Sequence, residues 1–310
     1  MNPKNFINKK KINVIYILSA GHSGSTLLDL ILGSHSQIVG IGELNNYYST
    51  IESSHDQCSC GKKLDNCEFW NKVMKNSKQP SLKIDCPFYY YLLGKDRYLL
   101  EKTNFSSSRL IKMNKNSLKE YIEQNEEIYS NIANQTGKKF IVDSSKCPIR
   151  AEILLKSKKI NFTFIHLVRN GKGVTWSYKR KYGGVITPML KWVIRNLTIE
   201  KFRIHNENLK IIFLRYEDFV NNPKRELKRI LKVMHLPYVS NMLEFKDTVH
   251  HQAGGNRLRL DPSNNTIKKD SSWKYKLPIL DQIIFNILFG WLNIYYKYNN
   301  RVNYDWRTDI

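Results

Sequence analysis

The residues from Ile17 to His35, ILSAGHSGSTLLDLILGSH, come close to a phosphate-binding loop. A loop of the form G-x-x-x-x-G-K-[ST], set between a strand and a helix, holds phosphate oxygens in a row of backbone N–H groups. Ser19 to Thr26 span those eight positions, with Gly24 and Thr26 in place and Ser25 standing where the lysine would be. Gly21 and Gly24 free the backbone amides to face one concavity, and the following helix N-terminus adds its positive dipole. Ser23, Ser25 and Thr26 add hydroxyl donors. Lacking the lysine, and with no strand ending of the Walker-B kind, the loop suits a 5′-phosphate better than a magnesium triphosphate.

A second stretch, FIHLVRNGKGVTWS (Phe162 to Ser177), places Arg169 at the carboxyl end of a predicted strand and Ser177 eight residues on, in the next helix. Strand carboxyl ends are where ligands bind in open α/β sheets. An arginine fork and a serine hydroxyl converging there suit a second phosphate group. Alone, an arginine at a strand end reads as a structural ion pair; beside the first loop it becomes half of a site for a doubly phosphorylated nucleotide.

Positioning these residues requires a parallel sheet. NVIYILS (Asn13–Ser19), KFIVD (Lys139–Asp143), FTFIHLV (Phe162–Val168) and KIIFLR (Lys210–Arg215) are short apolar runs, each followed by helical periodicity. Continuously apolar strands alternating with helices indicate a sheet covered on both faces, an α/β fold. Between the first two runs lies an excursion over residues 44–136, tyrosine-rich at Pro87–Tyr98 and helical at Ser117–Gln135, expected to shape the substrate side of a single domain spanning 1–310.

The pair GHSGSTLLDLILGSHSQIVGIGEL and HLVRNGKGVTWS resembles, in order and distance, the 5′-phosphosulfate loop and the 3′-phosphate motif of sulfotransferases that use 3′-phosphoadenosine 5′-phosphosulfate (PAPS). VDSSKCPIRA (Val142–Ala151), LRYEDFVNNP (Leu214–Pro223) and the segment Gly254–Trp273 extend the resemblance over most of the chain. It implies a three-layer fold related to the phosphate-loop proteins, with helices on both sheet faces, and sulfuryl transfer to a hydroxyl or amine without a metal. It also implies roles: Gly21 to Thr26 for the 5′-phosphosulfate, Arg169 and Ser177 for the 3′-phosphate, and Gly255, Asn256 and Arg257 in a late loop closing over the nucleotide.

At His22 the sequence departs from relatives that place an arginine or lysine there to stabilise the leaving phosphate. Lys146, in the SSK after KFIVD, is the substitute source of charge, since a compact ammonium can follow charge developing on the bridging oxygen. The acceptor proton needs a base. Glu43, in GIGEL, resembles the glutamate some relatives use and ranks ahead of His22. His166, inside an apolar strand, reads as a core histidine; His250 and His251 precede the glycine loop and are left without a role.

Composition bounds the rest. The 310 residues carry 50 Lys and Arg against 27 Asp and Glu, a formal charge of +23 that draws anions. The charge is equally read as scattered solubilising lysine. Two rivals to sulfuryl transfer are a phosphate-loop nucleotide kinase and a non-enzymatic polyanion binder, the latter recognised by steeply salt-dependent affinity. The acceptor stays open among small molecules, carbohydrates, lipids and peptides, with no nucleic acid as partner. MNPKNFINKKK lacks the apolar core of a secretory leader, so a cytoplasmic location is expected. Leu277–Tyr296 is apolar at helical spacing (Leu280, Ile283, Ile284, Ile287, Leu288, Trp291, Tyr295) and is expected as a packed helix, with peripheral membrane contact left open. CSCGKKLDNC holds Cys58, Cys60 and Cys67, which His55 or Cys86 would complete to four zinc ligands. The C-x-C spacing, in place of C-x-x-C, makes free thiols or one local disulfide the expectation.

Overall fold

The computed structural model describes residues 11–51, 57–75, 77, 115–261 and 267–298, together with the backbone of 82–83, 98–101 and 109–112. The strands are β1 (Ile12–Ser19), β2 (Ile38–Gly40), β3 (Leu82–Lys83), β4 (Tyr98–Glu101), β5 (Arg109–Lys112), β6 (Phe140–Lys146), β7 (Ile160–Val168) and β8 (Ile211–Arg215). The helices are α1 (Ser25–Gly33), α2 (Tyr47–Ile51), α3 (Glu68–Met74), α4 (Lys115–Thr136), α5 (Pro148–Leu154), α6 (Gly171–Tyr182), α7 (Ile186–His205), α8 (Tyr216–Asn221), α9 (Pro223–Val233), α10 (Trp273–Lys276) and α11 (Ile279–Tyr295).

The main sheet runs β2-β6-β1-β7-β8, and every pairing in it is parallel. β1 sits at its centre with Ile15, Ile17 and Leu18 fully buried, because an apolar strand covered on both faces has no solvent side to alternate toward. Val142, Ile165, Leu167 and Leu214 pack with α1, α8 and α9 on one face. Tyr16, Leu18, Phe164, Ile199 and Phe202 form a cluster with α7 on the other. From β1 the chain passes to β2 at the sheet edge, returns to β6, then crosses to β7 on the far side. The carboxyl end of β1 is therefore the point where strand order reverses, the place such sheets form their crevice.

β2 was not among the expected strands; three residues give too short an apolar run to be seen. The excursion contains the antiparallel sheet β3-β4-β5 and the long helix α4. Tyr89 to Tyr91, His55 and Cys86 lie outside the described residues.

Buried polar groups fix the strand ends. In α1, the Asp29 carboxylate accepts from Gly42 N–H (3.1 Å) and from Gln252 Nε2 (2.6 Å), tying the helix to the chain after β2 and to the late loop. Burial pushes its pKa up to about 7. At the end of β6, Asp143 accepts from buried Arg150 (2.8 Å) and the Tyr129 hydroxyl (2.6 Å), and its other oxygen takes the Ser145 N–H (2.8 Å). Ser145 Oγ in turn receives Asn45 N–H (3.0 Å), which brings the segment after β2 against the end of β6.

The last helix corrects an expectation. α11 buries Phe285, Gly290, Leu292 and Asn293, whereas Leu280, Ile283, Ile287, Leu288, Trp291 and Tyr295, expected on the packed face, are exposed. The helix is apolar all round, so spacing alone does not identify its packing side. Among the described residues no helix is long and apolar enough to cross a membrane.

Candidate active site

A cleft of about 590 Å3 opens at the carboxyl ends of β1, β2, β6 and β7, within the range of small-ligand sites. Gly21, His22, Gly24, Ser25, Thr26, Glu43, Lys146, Arg169, Ser177, Gly255 and Asn256 all line it. Ser23 is fully buried behind the loop, its hydroxyl without a hydrogen-bond partner. Arg257 is exposed at the start of a 3-10 turn (Arg257–Leu260) and is not among the lining residues.

The loop is built as its glycines require. Gly24 caps α1 at φ 94°, a left-handed conformation, and a Cβ there would fall 2.6 Å from the Tyr216 ring. The α1 N-terminus has no side-chain cap, which leaves its amides to whatever occupies the cleft. The late loop closes on it: Asn256 N–H donates to Thr26 Oγ1 (3.1 Å). A Cβ on Gly255 (φ 93°) would lie 3.1 Å from Thr26 Oγ1 and 3.5 Å from Glu43 Oε1.

Glu43 and Lys146 form an ion pair across the mouth of the loop. Asn46 Nδ2 donates to the other Glu43 oxygen (2.6 Å), and the Glu43 N–H donates to Ala253 O (2.7 Å). Lys146 takes φ 65°, a conformation costly for a residue with a Cβ and typical of functional sites.

Arg169 is held on several sides. NH1 donates to His22 O (3.1 Å), NH2 to the Asp270 carboxylate and carbonyl (3.1 Å each), and the guanidinium lies 4.7 Å above the Tyr216 ring. Its Nε is buried with no partner. Ser177 Oγ and His22 Nδ1 share a hydrogen bond of 3.0 Å. Burial first, and then the positive fields of Lys181, Lys146 and Arg169, lower the His22 pKa to about 4, so at neutral pH it carries no charge. Its ring packs 4.2 Å from that of Tyr178.

His166 is a core residue as expected, buried beside Asn196 and Glu200, with burial lowering its pKa to about 4. His250 Nε2 donates to Phe245 O (2.7 Å) and His251 lies among the cysteines, so neither lines the cleft. Cys58, Cys60, Cys67 and Cys147 are free thiols, which removes the local disulfide among them.

Sequence reasoning missed Tyr178, Arg180, Lys181, Tyr182, Tyr216, Lys268 and Asp270, all lining residues. A signal existed for the first four, since they follow Ser177 on α6 and some must share its face. For Lys268 and Asp270 there was none beyond the resemblance of their segment. The lining cations Lys146, Arg169, Arg180, Lys181 and Lys268 outnumber Glu43 and Asp270, making the cleft an attractor for anions.

Fold and cleft together define an α/β protein with a phosphate-type loop, a cationic crevice at the strand-order switch and a carboxylate–ammonium pair at its mouth. The chain belongs to the sulfotransferase family, whose family model matches residues 14–240. It is similar in fold to the sulfotransferase domain from the curacin biosynthetic pathway (19% identity, 90% of this chain and 98% of that one, TM-score 0.51). It is likewise similar to the sulfotransferase domain of the Synechococcus PCC 7002 olefin synthase (18% identity, 94% and 98%, TM-score 0.51). No curated protein matches the chain.

Proposed function

We propose that the protein transfers the sulfuryl group of PAPS to a hydroxyl or amine of a small-molecule, carbohydrate, lipid or peptide acceptor by in-line displacement without a metal. The observation that carries this reading is the Glu43–Lys146 pair standing beside Thr26 and Gly255, where the anion loop meets the late loop. The donor supplies an activated sulfuryl group; sulfur gains the acceptor oxygen or nitrogen as its bond to the bridging oxygen breaks, and 3′,5′-adenosine bisphosphate leaves.

The chain's own groups fit the task. Amides of the loop and the α1 N-terminus suit the 5′-phosphosulfate, and Arg169 with Ser177 suits the 3′-phosphate. Asn256 and the late loop cover the nucleotide. Glu43 takes the acceptor proton, and Lys146, released from Glu43 as that carboxylate is protonated, turns its charge toward the bridging oxygen. His22, neutral and bonded to Ser177, orients that hydroxyl and adds no positive charge.

Titration calorimetry with 3′,5′-adenosine bisphosphate and adenosine 5′-monophosphate tests the reading, together with transfer of labelled sulfate from PAPS to a panel of acceptors. The bisphosphate is expected to bind far more tightly, on the order of a hundredfold or more, from the charge-assisted bonds to its 3′-phosphate. Equal binding of the two nucleotides overturns the assignment.

A further inference from the structure

Away from the cleft, Cys58, Cys60, Cys67 and His251 bring four ligand atoms within 4.8 Å of one another. We propose that these four residues bind one zinc ion, which clips the Gln57–Cys67 segment to the chain leading into the late loop.

Four of the six distances among these atoms match the edges of a coordination tetrahedron. Zn–S bonds near 2.3 Å and Zn–N bonds near 2.05 Å at tetrahedral angles require S···S edges of about 3.8 Å and S···N edges of about 3.6 Å. The Cys60–Cys67 and Cys67–Cys58 sulfurs are each 3.7 Å apart, and His251 Nδ1 stands 3.4 Å from Cys67 Sγ and 3.9 Å from Cys58 Sγ. Three soft thiolates and one imidazole in that geometry select zinc among the common metals. Each thiol gives up its proton to solvent on binding, and His251 binds neutral through Nδ1.

The surroundings hold the ligands as a metal site needs. Cys58 and Cys67 are buried. A tight turn carries Cys58 and Cys60, closed by Gly61 N–H on Cys58 O (2.9 Å) and Cys58 N–H on Lys62 O (2.8 Å), with Gly61 at φ 88°. Main-chain N–H groups of Cys60 and Trp70 donate to the sulfurs of Cys58 and Cys67, the bonds that steady thiolate ligands. The His251 ring is stacked on Phe69 (centroids 4.8 Å, interplanar angle 9°) and its carbonyl accepts from Trp70 Nε1 (2.8 Å), which fixes the imidazole. The fourth ligand atom comes from far along the chain, His251 lying 184 residues beyond Cys67.

The clip reaches the cleft through the backbone. Beside it, Ser59 N–H donates to Gln252 O (3.2 Å) and Gln252 N–H to Ser59 Oγ (2.6 Å). The next residue, Ala253, pairs with Gly42 and takes the Glu43 N–H.

Elemental analysis of the full chain, purified without chelator under reducing conditions, is expected to find about one zinc per chain. Cys67→Ser and His251→Ala should lose most of it, while Cys147→Ser, which removes a buried thiol outside the cluster, should keep it. Should the first two fail to fold, wild-type protein stripped of metal and titrated with cobalt(II) decides. An intense visible spectrum with a thiolate-to-cobalt charge-transfer band supports the site. Stripping should also raise hydrogen exchange over 252–256 and lower the melting temperature. Wild-type protein that is metal-free with its thiols open to alkylation, that carries a Cys58–Cys67 disulfide, or that gives only the weak spectrum of octahedral cobalt overturns it.

Discussion

The cleft contains two carboxylate–cation pairs built in opposite ways. Lys146 meets Glu43 through one flexible ammonium, with side-chain exposures of 17% and 10%. Arg169 meets Asp270 at 3.1 Å while His22 O and the Tyr216 ring hold the same guanidinium, which is only 6% exposed against 30% for the aspartate. A point charge on a four-carbon stem changes partner easily, whereas a clamped planar fork keeps its place and exchanges only the carboxylate on its open side. The first pair is suited to moving a proton and following charge, the second to holding a fixed anion. In the proposed reaction the two halves of the cleft would then divide chemistry from binding.

Breaking the first pair should have the largest effect. Glu43→Gln is expected to lower turnover by about a hundred- to ten-thousandfold, the range for removing general-base help, while leaving 3′,5′-adenosine bisphosphate affinity near wild type. Single-turnover rates with calorimetry check both; unchanged turnover removes Glu43 from the proton transfer. Breaking the second pair should do the reverse. Arg169→Ala is expected to weaken the bisphosphate by about 10- to 150-fold and leave the weaker binding of the 5′-monophosphate in place, with Arg169→Lys recovering part.

Loosening the second pair from its other side sharpens the contrast. Asp270→Asn keeps the oxygen that accepts from Ser272 but removes the carboxylate charge competing for Arg169. Bisphosphate affinity should rise by about two- to fivefold, the worth of a partly exposed ion pair, as calorimetry will read.

The last test concerns His22 and reads stability in place of binding. Its pKa is lowered from 6.5 to about 4 in the folded chain, so between those values the unfolded chain binds the proton more readily. His22 therefore makes stability fall as pH drops from about 6.5 toward 4, and contributes no further change below. The stability of wild type relative to His22→Asn, from urea unfolding at several pH values, should decline through that window. A difference that is flat with pH disproves the lowered pKa.

Much of this division was legible in the chain. The loop from Gly21 to Thr26 is a local device, and strand, glycine turn and helix leave their marks within fifteen residues of one another. Arg169, Ser177 and Lys146 were found because each sits at or just beyond the end of an apolar run, and strand ends in a parallel sheet share one crevice. Glu43 came from the family resemblance, and its meeting with Lys146 across 103 positions is a fact of the fold. Asp270 had no local signature, since its role depends on a loop folding back 101 residues onto Arg169.

The sequence by itself determined the parallel α/β sheet, the anion loop and the identity of the charged groups near it, because apolar runs and glycine placement act over short distances. Only the tertiary structure decided which charges pair, that His22 is neutral, which side of α11 is covered, and that His251 joins three distant cysteines. Those outcomes depend on burial and on contacts between segments far apart in the chain, and neither is written in the spacing of neighbouring residues.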